Sequence, residues 1–504
     1  MTKELLQNST LRPEPARSLR AKDDAARSFG SRRWAVVGGG MLGMTLALRL
    51  AEAGKSVTLF ESASELGGLA SAWSLGDIVW DRHYHVTLLS DTYTRGLADE
   101  LGLGAEFDWV NTRTGFYTDG QLLSMSNTVE FLRFPPLNLL EKLRLGATIF
   151  YASRIKRWQR LERVPVSRWL SRWSGKRTFE KIWLPLLRSK LGESYRDVSA
   201  AFIWATIARM YAARRTGLKR EMFGYVRGGY ARILERFAET LRAKGVEIRC
   251  GQAVKSVEAI DACAKVSQED SGLRLEFADG NCYKFDEVVL TLPAPVAARV
   301  SNCLSGDERE RLAGVRYQGI ICASLLIKKP LSNFYVTNIT DGDVPFTAVI
   351  EMSALVDREA FGGNALVYLP KYVASDDAAF SLSDEELRAQ FLQALARMYP
   401  AFDAERDVLC FQVSRVRNVF PLPVLNYSGR MPPMQTSVAG LHIINSAHIT
   451  NGTLNVNETL KLAERAAASL LCNESVDAEP VASSATAAIN ERRAGGWERT
   501  SART

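Results

Sequence analysis

The spacing of hydrophobic positions changes twice within "WAVVGGGMLGMTLALRLAEAGKSVTLFE", Trp34 to Glu61. Trp34–Val37 is a continuous apolar run and predicts a strand. Met41–Ala53 places Leu42, Leu46, Leu50 and Ala53 at helical spacing, and Gly54 stops that helix. "KSVTLFE" then predicts a second strand, and a strand–helix–strand unit of this form predicts a parallel sheet. A later block, "GYVRGGYARILERFAETLRAKGVEIRCGQAVKSVEAI", reads as a helix, a glycine stop and a strand. It is followed by a hairpin through "FADGNCYKF" and by the strand "DEVVLTLP", which ends at Pro293. A third block, "GLHIINSAHITNGTLNVNETLKLAERAAASLL", reads as a strand and then a helix.

Two other regions separate these blocks. Residues 105–220 predict helices and are aromatic and basic. Residues 301–434 predict strands ("QGIICASLLIKKPL", "PFTAVIEMSAL", "GNALVYLP", "VLCFQVSRV") around one helix, "SDEELRAQFLQALARMY". Residues 1–32 are polar and residues 474–504 are rich in Ala, Ser and Arg, so both are expected to be disordered. There is no internal repeat.

The glycines carry the first chemical signal. Gly38-x-Gly40-x-x-Gly43 follows a strand and opens a helix, and Glu61 closes the next strand 18 residues after Gly43. Such glycines allow a tight turn and let backbone N–H groups of Gly40, Met41 and Leu42 approach a pyrophosphate, which the helix dipole favours. A carboxylate at the end of the second strand can accept hydrogen bonds from a ribose. The loop therefore predicts a dinucleotide. After Glu61, "ESASELGGLASAW" carries Gly67-Gly68 and then Leu69 with small residues, a bend that would return over the pyrophosphate and leave room for a longer cofactor.

In "VVGGGMLGMTLALRLAEAGKSVTLFESASELGGLASAW" the chain resembles the extended fingerprint of the flavin amine oxidase, protoporphyrinogen oxidase and phytoene desaturase superfamily. The likeness continues through "GYVRGGYARILERFAETL", through Val254, which resembles a valine whose backbone faces adenine, and through "VVLTLPAPV". It implies FAD as cofactor. It also implies an α/β fold: a Rossmann-like FAD-binding domain assembled from discontinuous segments (33–104, 221–300 and 435–473), plus an inserted mixed-sheet and helical substrate domain. The C-terminal segment departs from the pattern. Relatives carry Gly-Asp or Gly-Glu where this chain has Asn445-Ser446, and the acidic residue would hold the ribityl chain. Asn455 would cap the last helix, with the backbone of Val456 and Asn457 directed at the flavin pyrimidine edge. The plainer alternative is an ordinary capped helix packed on the sheet.

"VWDRHYHVTLLSD" places two of only four histidines, His83 and His85, shortly after the glycine pair. By analogy this stretch would run near the flavin ring, and it weakly resembles a His-x-Phe-His segment of UDP-galactopyranose mutases, with a spacing of two instead of three. A histidine titrating near neutrality could move the second proton of a dehydrogenation. The alternative is that one satisfies a buried strand end while the other is solvated. His448 in "NSAHITNG" is a further residue that could approach the cofactor.

Charge and composition narrow the class without settling it. Of the 504 residues, 46% are hydrophobic and 24% charged, enough for a large core of two or three domains. The net charge of +8 suits anionic ligands, an anionic membrane surface or nucleic acid. From Arg154 to Lys190 twelve Lys or Arg face two Glu, interleaved with Trp158, Trp169, Trp173 and Trp183. This suggests that 130–190 could lie on anionic lipid; a helical core with a solvated basic face is the alternative. No recognition motif accompanies the charge, so nucleic acid is not expected. Seven scattered cysteines without a CxxC pair suit a reducing compartment, and no metal-ligand spacing is present. With no run of 18 apolar residues, the expectation is a cytoplasmic protein that is peripheral, if anything, on the inner face of a membrane. Together these features predict an FAD-dependent oxidase, dehydrogenase or desaturase taking a hydride from a C–N or C–C bond of a small, hydrophobic or lipid-linked substrate. The alternatives are a flavoenzyme without net redox, of the galactopyranose mutase or carotenoid isomerase kind, and a nonenzymatic FAD-binding protein.

Overall fold

The computed structural model describes residues 32–213, 222–260, 272–450 and 454–477. The segments expected to be disordered lie outside these residues, apart from Arg32 and the end of the last helix, which continues to Asp477.

Five parallel strands form the central sheet, in the order Glu247–Arg249, Ser56–Phe60, Arg33–Val37, Glu287–Leu290, Leu441–Ile443. The three sequence blocks thus meet in one sheet. Because every pairing is parallel, all five carboxyl ends lie along the same edge, with Val37 level with both Phe60 and Leu290. The helices Met41–Glu52 and Val456–Asp477 pack on one face and on each other, joined there by Gly229–Ala243. A three-stranded antiparallel meander (Val254–Ile260, Gly272–Phe277, Cys282–Phe285) covers the other face, and its last two strands are the expected hairpin.

The second layer is a seven-stranded mixed sheet in which Tyr317–Ile327 lies second from one edge, between the edge strand Val408–Pro421 and Ala365–Ala374. Residues 321, 323, 325 and 327 pack on the helix Asp384–Met398, which starts with a Ser383/Glu386 capping box. Residues 320, 322 and 326 pack on Trp80, Tyr368 and Met352, toward the nucleotide domain. This alternation is what a period of two requires of a strand buried on both faces.

The region 105–220, expected to be helical, departs from that expectation. It opens with three strands, Phe107–Asn111, Thr114–Thr118 and Gln121–Ser124, before its helices begin. Asp119 (φ 53°) and Gly120 (φ 72°) form the two-residue turn between the last two, and positive φ at both positions is the type I′ geometry that Asp-Gly favours. Thr114–Thr118 then pairs in parallel with Val336–Ile339, so the inserted region is built into the second sheet. Trp158, Trp169, Trp173 and Trp183 do not form an outward row. Trp169 is 5% exposed, Trp158 stacks on Trp204, Trp173 stacks on Tyr151, and Trp183 Nε1 donates to Ser174 Oγ. They fill the space between short helices, where large rings bury the most area. None of the described helices is long and apolar enough to cross a membrane.

Gly43 sets the distance between the first helix and the first strand. A Cβ there would stand 1.9 Å from the Gly38 carbonyl oxygen. Gly43→Ala should therefore lower stability by about 1–3 kcal/mol, the usual cost of overpacking, and urea unfolding measures it.

Candidate functional site

The common carboxyl edge of the parallel sheet collects Gly38–Gly40, Glu61, Gly251–Val254, Thr291 and Asn445 from three distant segments. Crevices outside the carboxyl ends of such strands are where open α/β sheets bind ligands. Gly38 has φ +113° and donates its N–H to the Phe60 carbonyl at 2.8 Å. Thr291, from the second block, donates its hydroxyl to the Val37 carbonyl at 2.9 Å and so ties that block to the loop. Gly67 (φ +125°) folds back to donate its N–H to the Gly39 carbonyl at 2.8 Å, and Gly68 comes to lie beside Gly40. The two glycine motifs are thus one loop pair, with Leu69 at its exit.

The helix opening at Met41 has no side-chain cap and no acidic residue in its first turn. Its first N–H groups and positive dipole end remain available to an anion. Gly40 is extended (φ −76°), and a Cβ there would meet nothing within 4 Å. Side-chain absence at Gly40 is therefore not demanded by the protein itself, in contrast to Gly38, Gly39 and Gly43. It leaves room for something else. Met41 and Leu42 contribute backbone only, their side chains being buried in the core.

Glu61 accepts the Gly39 N–H on one carboxylate oxygen (2.6 Å) and the Ala63 N–H and Ser62 hydroxyl on the other. A carboxylate has about four acceptor sites, so capacity for a ribose hydroxyl is left. The Gly251 and Gln252 N–H groups donate to the Ala63 and Glu61 carbonyls, which brings Val254 alongside this end of the crevice.

At the opposite end, Asn445 is 1% exposed. Its Oδ1 accepts the Ala447 N–H, while its Nδ2 is buried without a partner. A buried orphan donor costs about 1–3 kcal/mol, and a polyol hydroxyl laid against it would remove that cost. The uncapped helix, the space at Gly40 and the Asn445 donor together fit FAD. Asn455 accepts the Glu458 N–H as a helix cap, and the Asn457 side chain accepts the Tyr93 and Thr94 N–H groups, which ties the start of this helix to the helix Thr92–Glu100.

Comparison with known proteins agrees. The family model of flavin-containing amine oxidoreductases matches residues 42–471. The chain belongs to this family. Its cofactor is accordingly FAD, and it is an oxidoreductase of that class. No curated protein matches the chain. Among solved structures it is similar to a candidate protoporphyrinogen oxidase from Exiguobacterium sp. 255-15 (TM-score 0.68, 18% identity, 88% of this chain and 99% of that one). It is also similar to cyclohexylamine oxidase from Brevibacterium oxydans IH-35A (0.66, 16%, 88% and 100%) and to a reduced UDP-galactopyranose mutase (0.66, 15%, 88% and 96%). These likenesses fix the fold of the amine oxidoreductase.

The two neighbouring histidines are placed very differently. His83 is 7% exposed, with Nδ1 bonded to the Leu69 carbonyl at 3.2 Å and Nε2 to the Ser414 hydroxyl at 3.1 Å. Burial, with His85 and Arg82 nearby, pushes its pKa down to about 4. The expectation of an acid–base residue titrating near neutrality therefore fails for His83, because desolvation disfavours its cation. It instead holds the glycine-pair loop to the second sheet. His85 makes no hydrogen bond among the described residues. Its ring lies 4.7 Å from that of Tyr230, and Nδ1 is 3.8 Å from Asp81 Oδ2, too far for a direct bond. His448 is an internal brace: Nε2 bonds the Pro432 carbonyl, Nδ1 accepts the Asn445 N–H, and burial lowers its pKa.

Several residues went unnoticed in the sequence. Asp81 is buried and accepts the Tyr230 N–H at 2.7 Å, at the start of the Gly229–Ala243 helix; burial raises its pKa. Tyr84 and Tyr372 bring their hydroxyls within 2.8 Å of each other. Gln318 is 1% exposed with neither end of its amide partnered. A lone polar residue opening the apolar run "QGIICASLLI" was its available signal; the tyrosine pair, 288 residues apart, had none.

Two outcomes follow. Gly40→Val should abolish flavin absorbance while leaving the unfolding midpoint close to that of the parent apoprotein, since the site can hold a side chain but not together with a pyrophosphate; purification, a visible spectrum and unfolding of both apoproteins decide this. For His83, the unfolded imidazole takes a proton below about 6.5 whereas the folded one stays neutral to about 4. Its contribution to stability is thus complete above pH 6.5 and lost as pH falls toward 4. That amounts to roughly 3 kcal/mol, and in His83→Gln the slope of unfolding free energy over this range should flatten.

Proposed function

We propose that this amine oxidoreductase oxidises a hydrophobic substrate at a C–N or C–C bond, as an oxidase, dehydrogenase or desaturase. The observation that carries this reading is the wall facing the distal end of the crevice. Leu454, one residue before Asn455, packs both on the nucleotide-domain core and on the helical cluster that includes Phe420 and Tyr372. Tyr372 meets Phe420 edge-on, with ring centres 6.0 Å apart, and reaches Tyr84 through its hydroxyl. Around Tyr372 the wall is aromatic and hydroxyl-bearing, with Lys190 Nζ 4.3 Å from the Tyr372 ring centre, and a cation placed there suits an apolar group better than a small polycation.

When bound, FAD would supply the acceptor for a hydride, that is, for the two electrons and one of the two protons removed from the substrate. The chain supplies position. Gly38–Leu42 and Gly67–Leu69 would hold the pyrophosphate, Glu61 the ribose, Val254 the adenine and Asn445 the ribityl chain. The N-terminal N–H groups at Val456 and Asn457 would favour negative charge at the pyrimidine edge. The Tyr84–Tyr372 pair and Gln318 would orient the substrate. His85, whose ring makes no hydrogen bond among the described residues and packs beside Tyr230, is the residue to accept the second proton.

Anaerobic titration tests the reading. An apolar amine or lipid-linked substrate should bleach the flavin, with colour returning on admission of an acceptor. Turnover of a sugar nucleotide that occurs only after chemical reduction, without net oxidation, would replace this reading with the mutase one, which the likeness to UDP-galactopyranose mutase keeps in view. Tyr372→Ala should leave flavin content intact and raise KM about tenfold, as expected for some 1.4 kcal/mol of lost substrate contact. Steady-state kinetics measures this.

A further inference from the structure

Large apolar side chains are seldom exposed in clusters on a monomer surface, yet here they are concentrated. Of ten such exposed residues among those described, seven lie between Val129 and Tyr151. They come from two consecutive helices, Thr128–Arg133 and Leu139–Arg154. The second helix has two apolar faces. One, through Leu145, Thr148 and Ala152 with the stem of Lys142, is buried, the Lys142 ammonium donating to the Leu132 carbonyl. The other presents Leu139 (63% exposed), Leu140 (75%), Leu143 (60%) and Phe150 (52%) to the outside. Gly146 and Ala147 lie on this outer face and add no polar group. Val129 and Leu132 extend it from the first helix.

Charge identifies the occupant. From residue 128 to 163 the only acids are Glu130, half-buried and bonded to Ser124 and Ser126 beside Arg113, Glu141, partly covered while it caps its own helix with Asn138, and Glu162, which is buried. Every exposed charge in that span is a cation. Arg133 precedes the apolar face, and Arg154, Lys156, Arg157 and Arg160 follow its end. Arg154 also lies over the Phe150 ring, 4.8 Å from its centre. Protruding leucines and a phenylalanine bordered by unopposed cations match the boundary of an anionic bilayer, which takes up apolar side chains and holds Lys and Arg at its headgroups.

We infer that the outer face of helices 128–133 and 139–154 docks this protein on an anionic lipid surface. The docking residues differ from the tryptophans that composition alone suggested, since those rings are used between helices. The inference does not rest on the reaction proposed above, and partitioning can be measured whatever the substrate is.

The test is co-sedimentation of the full chain with vesicles of phosphatidylcholine alone and of phosphatidylcholine with phosphatidylglycerol. The protein should pellet with the anionic vesicles and much less with the neutral ones. The double variant Leu140→Gln/Leu143→Gln should lower the partition coefficient at least about tenfold, in line with the loss of two inserted side chains. Both positions are exposed, so its unfolding midpoint should match the parent's. Failure of the parent to pellet, equal partition of parent and variant, or equal partition to both vesicle types would overturn the inference. So would a parent dimer that the double variant dissolves, by showing in light scattering that a second copy covers this face.

Discussion

The contact on which the rest depends is the one between the first helix and the first strand, where the Gly43 Cα lies against the Gly38 carbonyl with no room for a Cβ. It points the uncapped N-terminus of a 12-residue helix over the carboxyl ends of a parallel sheet. Backbone N–H groups that cannot find partners within the helix then define an anion site of fixed position. Thr291, Gly67 and Glu61 all bond to backbone of this loop and so inherit their positions from it.

Polar groups in the interior divide into two kinds. His83, His448 and Asp81 are buried with their bonds made, or nearly so, and they brace loops against the second sheet or a helix end. Asn445 Nδ2 and the Gln318 amide are buried with bonds missing. Satisfied groups are explained by the fold, whereas orphaned ones are costly within it. A bound molecule, whether a ligand or an ordered water, can offset that cost. At Asn445, where the family resemblance implies an acid one position later, the chain offers a buried donor, Nδ2, in place of a carboxylate acceptor.

The inserted regions are shaped by the same demand for burial. The helical region cannot close a core with short helices alone, so it lends a hairpin to the second sheet through the parallel pairing of Thr114–Thr118 with Val336–Ile339 and packs its tryptophans inward. What is left outside is the second apolar face of one helix, which neither sheet can reach.

The residues alone determined a good deal. Glycine spacing, the helix stop at Gly54, the acid at Glu61 and the period-two runs are local signals. They specified the strand–helix–strand unit, the three-part nucleotide domain and the class of cofactor, because turn geometry and periodicity are written over short distances of chain. The Asp119-Gly120 hairpin was legible too, but was obscured by its basic and aromatic surroundings. Tertiary structure alone decided which of two histidines two residues apart is buried, that Tyr84 meets Tyr372, that Gln318 lacks partners, and that leucines rather than tryptophans face outward. Burial and partnership arise between segments hundreds of residues apart, and desolvation, which decides protonation and exposure, exists only once those segments have packed.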